Sequence, residues 1–335
     1  MSGPKSPPNG PFRAAGTLVA ALLVLAACQP LGEGDESAPA GSGGGEGTGR
    51  LSIATGGTGG VYFPLGGGLA DLISEHLEGY TATAEETNAS VDNMNLIGSG
   101  ESDIAFVLGD TASDAVAGTG DFEGGAIDAC TLGILYTNFT QLVASADSGI
   151  TSVADLEGQR VSLGEAGSGT EIIGLRVLEA AGLDPDADIE RAQLGVAETV
   201  DALRDGTLDA GFWSGGLPTG ALVDYASTGD MVLVPTAEFA ADLQGEFGSY
   251  YLESEIPADT YEGQSEAVAV IGVPNVLVVN TSMDEGLQEQ LTALIFERKD
   301  DLVAVHPAAS ELDQETAGDV EFMDVCPGAQ TFFGS

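Results

Sequence analysis

A short apolar strand that runs straight into a glycine-dense turn and then a helix narrows the possible folds more than any other feature of this chain. It occurs first at Ile53-Ala-Thr-Gly-Gly-Thr-Gly-Gly-Val-Tyr-Phe-Pro64, where a helix is predicted to open at Pro64. A second copy stands at Val161-Ser-Leu-Gly-Glu-Ala-Gly-Ser-Gly-Thr170, again ahead of an amphipathic run. Backbone N–H groups at a helix start lack intrahelical partners, so such turns attract anions, carboxylates among them. Two such turns on one chain suggest two lobes that close over a small acid.

The rest of the pattern agrees with alternation of strand and helix. Strand-like runs recur at Leu51–Ala54, Asp103–Leu108, Arg160–Leu163, Leu208–Trp213, Met231–Val234 and Ala267–Val279. Leu65, Leu69, Leu72, Ile73 and Leu77 fall at helical spacing, as do Ile172, Ile173, Leu175, Val177 and Leu178, with Gly182 as a stop. Leu287, Leu291, Leu294 and Ile295 mark a further helix. This predicts an α/β fold with largely parallel sheets.

The N-terminus reads as an export signal. Lys5 and Arg13 precede an apolar stretch, Thr17 to Ala27, that is too short to span a bilayer, so residues 1–27 are predicted to be a signal peptide. Leu25-Ala26-Ala27-Cys28 resembles a bacterial lipobox, which implies lipidation at Cys28; an ordinary cleavage nearby is the alternative. Residues 28–49, with Gly41-Ser42-Gly43-Gly44-Gly45, read as a flexible tether. The protein is thus expected outside the cytoplasm, lipid-anchored to the cell membrane. There Cys130 and Cys326 either form a disulfide or remain two buried thiols, and the sequence leaves both open.

Charge narrows the partners. The chain has 53 acids and 9 bases, and loss of Lys5 and Arg13 with the signal leaves seven bases in the mature part, a balance of −46. Nucleic acid is excluded on electrostatic grounds. Repulsion on this scale disfavours compactness unless salt screens it, which points to a salt-rich setting.

Much catalytic chemistry is missing. The two histidines, His76 and His306, are read as solvent-facing residues at helix ends with no ligand-spaced neighbours, so no metal or cofactor is expected. Ser168 lacks the flanking glycines of a nucleophile elbow, and Gly169 is followed by Thr170 rather than the lysine of a phosphate loop. The third glycine of a dinucleotide fingerprint is absent after Gly57 and Gly59. An enzyme is not indicated.

Binding chemistry is present in four clusters. Thr58, Gly59, Gly60 and Tyr62 offer a hydroxyl, close backbone approach and an aromatic wall. Asn88 and Ser90 are placed to cap a helix beginning near Val91, with Asn93 one turn in. Gly167-Ser168-Gly169-Thr170 gathers hydroxyls at a helix dipole. Trp213, in Gly211-Phe-Trp-Ser-Gly-Gly-Leu-Pro218, packs on a ligand or fills the space between lobes. Each cluster alone is explained as a flexible turn; their joint occurrence at strand-to-helix junctions favours binding.

Taken in order, these motifs are similar to those of the TAXI-type solute-binding receptors of TRAP transporters. The series is Thr55-Gly-Gly-Thr-Gly-Gly-Val-Tyr62, Thr87-Asn88, Asn93, Gly100-Glu-Ser-Asp-Ile-Ala-Phe106, Asp155-Leu-Glu-Gly-Gln-Arg-Val161, Gly167-Ser-Gly-Thr170, Asp205-Gly-Thr-Leu-Asp-Ala210, Gly216-Leu-Pro218 and His306-Pro-Ala-Ala309. The resemblance implies a two-lobed, type II periplasmic-binding-protein-like fold with a hinge. Lobe I would comprise residues 51–141 plus 236–335, and lobe II residues 142–235. It implies a monomer that binds glutamate, glutamine or a dicarboxylate and delivers it to a sodium-coupled TRAP permease. A receptor serving a membrane sensor or an ABC permease is the alternative. The ligand-binding positions carried over are Thr58, Gly59, Tyr62, Asn88, Asn93, Ser168, Thr170 and Trp213, with Gly216 and Pro218 shaping the wall. Two departures stand out: Cys326 where the family usually has histidine before Pro-Gly-Ala, and Asn138 where it usually has an acid. Neither position is read as ligand-facing. No mature arginine falls in the four clusters, so no guanidinium clamp on a carboxylate is expected.

Overall fold

The computed structural model describes residues 49–228 and 231–334. The predicted signal peptide, the predicted lipidation site Cys28 and nearly all of the predicted tether lie outside them. The first half of the chain alternates β1 (Gly49–Ala54), α1 (Tyr62–His76), β2 (Tyr80–Glu85), α2 (Ser90–Ser99), β3 (Ile104–Leu108) and α3 (Gly109–Ala117). A long strand β4 (Ala129–Ser145) follows, then β5 (Arg160–Ser162), α4 (Gly169–Ala180), β6 (Glu190–Ala192), α5 (Val196–Arg204) and β7 (Ala210–Gly215). Next come α6 (Gly220–Ala226), β8 (Met231–Val234), α7 (Ala240–Glu246) and β9 (Leu252–Ile256). The chain closes with β10 (Val268–Asn280), α8 (Glu285–Glu297), α9 (Lys299–Val305) and α10 (Pro327–Phe333).

All ten strands form one sheet in the order β2-β1-β3-β10-β4-β7-β5-β6, with β8 on β4 and β9 on β10. The two ends are parallel, β1 with β2 and β3, and β5 with β6 and β7. The centre is antiparallel, because β4 and β10 run through both halves and pair with each other from Gly272–Phe139 to Asn280–Ala129. The sheet is therefore mixed rather than largely parallel. Helical crossovers build the ends, whereas the middle strands reverse direction on their way between the halves.

Four apolar cores account for the layers. On the first half of the sheet Ile53, Phe106 and Leu277 meet α1, α8 and α9 through Leu69, Ile73, Leu291 and Leu302. On its opposite face Ala105, Val107 and Val276 meet α2 and α3 through Met94, Ile97 and Ala112. Successive residues of β3 thus face opposite layers, as the two-residue strand period requires. The second half repeats the plan. Leu142, Phe212 and Ile271 pack on α4 and α7, while Val143 and Val270 pack on α5 and α6. Burial of each large aliphatic side chain stabilises by roughly 1.5–3 kcal/mol.

The first core is also covalently closed: Cys130 at the start of β4 and Cys326, the residue before α10, form a disulfide with Cα atoms 5.0 Å apart. The pair the sequence left open is a bridge, spanning 196 residues.

Candidate functional site

Residues from both halves meet in a narrow cleft beside Asn138 of β4. From the first half, α1 opens at Tyr62, two residues before Pro64, which the first turn of a helix accommodates. The Tyr62 ring lies 5.4 Å from Phe106, and its hydroxyl accepts from Asn138 Nδ2 at 3.5 Å. Burial pushes the Tyr62 phenol far above its usual range, so it stays a neutral hydroxyl.

The second half contributes the start of α4. Ser168 is its N-cap, with Oγ accepting from Glu171 N–H at 3.1 Å. Thr170 Oγ1 accepts from Ser214 N–H at 3.1 Å, which ties the helix start to β7. Glu171 braces the loop further: it accepts from Gly167 N–H at 2.8 Å and from Arg191 and Gln193 side chains. Gly169 and Thr170 open α4 and line the cleft, and as first-turn residues their N–H groups have no acceptor within their own helix.

Trp213 forms the lateral wall. Its Nε1–H donates to Thr219 Oγ1 at 3.0 Å, and Thr219 in turn donates to the Gly216 carbonyl at 2.9 Å. The indole lies so near the first glycine turn that a Cβ on Gly60 would sit 2.8 Å from it. A Cβ on Gly169 would sit 2.5 Å from Leu108 and 2.8 Å from Ser90 Oγ. Glycine at these two places is what lets the halves approach.

The approach is held by backbone groups exchanged across the cleft. The Gly167 carbonyl accepts from Val91 and Asp92 N–H at 3.2 and 3.3 Å, closing the start of α2, and the Gly59 carbonyl accepts from Ala221 N–H at 3.3 Å, in α6. Ala89, between the halves, holds φ of 72°, a strained conformation for a residue with a side chain.

Of the residues predicted from sequence, Tyr62, Ser168, Thr170 and Trp213 line the cleft together. Thr58 is exposed and donates its N–H to Glu86. Gly59 lies against Val196, Ala197 and Ala221. Asn88 is exposed, and its N–H donates to Asp92. Asn93 is fully buried behind the cleft, donating to the Thr55 and Phe106 carbonyls and accepting from Thr87 Oγ1. Gly216 and Pro218 lie outside the cleft lining: Gly216 packs against Tyr136 and Ala308, and the Pro218 carbonyl accepts from His306 Nε2–H at 3.2 Å.

Three expectations change. Asn88 and Ser90 do not cap α2: Ala89 is the N-cap, and Ser90, already helical, accepts from Leu108 N–H. His306 is half-buried and joins the C-terminal segment to Pro218 instead of facing solvent. Asn138 lines the cleft, because β4 turns its side chain inward where it crosses to the second half. There it also donates to the Ser214 carbonyl and accepts from Asn275 Nδ2.

Sequence reasoning also passed over Ser214 and Glu165. Ser214 follows the tryptophan on an apolar strand, and its hydroxyl is buried at the cleft with no partner. Glu165 stands inside the second glycine turn, where one acid among 53 carries no signal of its own. Among the described residues no Lys, Arg or His lines the cleft. Arg160, Arg176, Arg191 and Arg204 are each engaged by carboxylates elsewhere.

A model of the NMT1-like family matches residues 53–334. Among solved structures, PhnD1 from Prochlorococcus marinus, in complex with methylphosphonate, is 11% identical and shares 78% of this chain and 90% of its own, with a TM-score of 0.53. The periplasmic aliphatic sulphonate binding protein SsuA from Escherichia coli is 17% identical over 79% of each chain, with a TM-score of 0.44. The likeness to PhnD1 shows the fold, that of the two-lobed periplasmic binding proteins.

Proposed function

The chain belongs to the NMT1-like family; from that premise we propose that it is a solute-binding protein and not an enzyme, an extracytoplasmic lipoprotein of TAXI type. It captures a small carboxylate-bearing solute (glutamate, glutamine or a dicarboxylate) between two lobes, as a monomer, and delivers it to a sodium-coupled TRAP permease. The observation that carries this reading is the convergence of Tyr62 from one half with Ser168, Thr170 and Trp213 from the other on one cleft. There the N–H groups that open α4 meet a carboxylate without a guanidinium. Lobe I would comprise residues 51–141 plus 236–335 and lobe II residues 142–235, with Tyr251, Ile271 and Val273 of the returning segment sharing a core with α4.

The lobes close as a population shift, because one ligand touches both. A thermal-shift screen of the chain in high salt, against amino acids and di- and tricarboxylates, tests the proposal. A concentration-dependent rise in Tm for one group supports it and names the class. A flat response across the panel from a folded protein refutes it. Delivery to a TRAP permease requires sodium-dependent uptake in vesicles that hold both proteins; uptake driven by ATP would assign the receptor to an ABC permease instead.

A further inference from the structure

The cleft has the first-turn N–H groups of α4 on one side and an uncompensated carboxylate on the other. Glu165, half-buried in the turn that leads into α4, lines the cleft and forms no hydrogen bond or ion pair through its side chain among the described residues. Its Oε1 and Glu198 Oε2 lie 2.6 and 2.7 Å from the point where a side chain on Gly195 would begin, so the two carboxylates crowd the same place. Glu165 Oε1 also lies 3.9 Å from the corresponding point on Gly57, in the opposite lobe. That lobe adds Glu86, which accepts from Thr58 N–H. Burial, then Glu198 and Glu86, raise the Glu165 pKa above the usual carboxylate range.

Closure therefore brings acids from both lobes together beside a cleft with no base in its lining. A dicarboxylate entering it would add to that repulsion. A cationic group would relieve it. Nor do these acids form a metal site: among the described residues no group of three or more His, Cys, Asp or Glu is placed to hold a metal ion. The Ser214 hydroxyl, 5% exposed and without a partner on the cleft wall, is a separate polar group left for a ligand to satisfy.

Building on the proposed function, we infer that Glu165 binds a ligand ammonium while the start of α4 binds its carboxylate, so the solute is an α-amino acid and not a dicarboxylate. Glu86 and Glu198 reinforce the negative potential at the cleft mouth. Charge on both ends of a zwitterion then meets opposite charge or oriented N–H groups.

The test compares probes that differ only by the ammonium: L-glutamate with glutarate, L-aspartate with succinate, and L-valine with isovalerate. Binding to the full chain in high salt is measured by calorimetry for the native protein and Glu165→Gln. The amino acid of at least one pair should bind ~10-fold or more tighter than its partner, and Glu165→Gln should weaken it ~10- to 100-fold while leaving the carboxylate partner unchanged or stronger. Glu198→Gln, which leaves Glu165 in place, should have a smaller effect on the same pair. A carboxylate that binds as tightly as its amino acid overturns the inference, as does a pair ratio unaltered by Glu165→Gln. Binding by neither member of any pair overturns the carboxylate-binding reading of the cleft itself, which is a different result from carboxylates binding alone.

Discussion

Replacing Arg176 by methionine should destabilise the protein strongly, and in a pH-dependent way. Arg176, on α4, is 11% exposed; its guanidinium donates to Asp114 Oδ2 at 2.6 Å and to the Tyr251 hydroxyl at 2.7 Å. Tyr251 passes the interaction on, donating to Asp110 Oδ2 at 2.8 Å, and Arg176 itself stands 3.7 Å from that oxygen. Asp110 is fully buried, and the Thr111 N–H and hydroxyl donate to its Oδ1 at 2.7 and 3.3 Å. Removing the guanidinium leaves this carboxylate buried without a counter-charge, a loss of about 3–5 kcal/mol, and removes the stacking of Arg176 on Phe247 at 4.0 Å. Over the roughly 280 described residues the unfolding entropy is about 0.6 kcal/mol/K, so Tm should fall by about 5–8 °C. Burial already raises the Asp110 pKa, with Arg176 opposing the rise. A raised folded pKa means that stability is gained as pH falls through it and lost as pH rises. Without Arg176 that pKa climbs further, so the deficit of the variant should shrink between pH 7.5 and 5. Asp110→Asn in the same background should restore most of the loss. Scanning calorimetry at three pH values checks all of this. A loss under about 1 kcal/mol, a deficit independent of pH, or no rescue by Asp110→Asn would refute the reasoning.

Other perturbations follow from the same structure. Cys130→Ser with Cys326→Ser opens a 196-residue loop and should cost ~5 kcal/mol in the chain-entropy treatment, read as a Tm drop that a reductant reproduces in the native protein. Burial holds the His306 imidazole below its usual range, with the Pro218 carbonyl opposing, and Nδ1 accepts from Ala308 N–H only when neutral. Its contribution, about 1 kcal/mol, should be complete above the unfolded pKa near ~6.5 and be lost as pH falls through the folded value. His306→Gln should lack that acid-side decline in Tm. Thr170→Ala should weaken ligand binding by about 1–3 kcal/mol; unchanged affinity by calorimetry would remove Thr170 from the site.

The alternating α/β plan was legible because each element carries its own pattern. Apolar runs at Leu51–Ala54 and Asp103–Leu108, and 3.6-residue spacing from Leu65 to Leu77, are visible without knowing what they pack against. So were the glycine turns and the family motifs, since a strand-to-helix junction is specified by neighbours in sequence. The longest strand, β4, was not. Thr131, Asn138, Thr140 and Gln141 interrupt its apolar pattern, yet each is at most 1% exposed, because partners such as Asn275, Leu277 and Tyr261 come from far along the chain. The cleft divides in the same way. Tyr62, Ser168, Thr170 and Trp213 were nameable from local motifs, while Asn138, Ser214 and Glu165 became site residues only when closure brought their segments together. Sequence alone determined the elements whose apolar period is local, such as β1, β3, α1, α4 and α8, since helix and strand periods depend on residues within a few positions of one another. Tertiary structure decided the disulfide, the mixed sheet and the meeting of Glu165 with Glu198 beside the cleft, because each depends on through-space packing and electrostatics between segments that no local pattern relates.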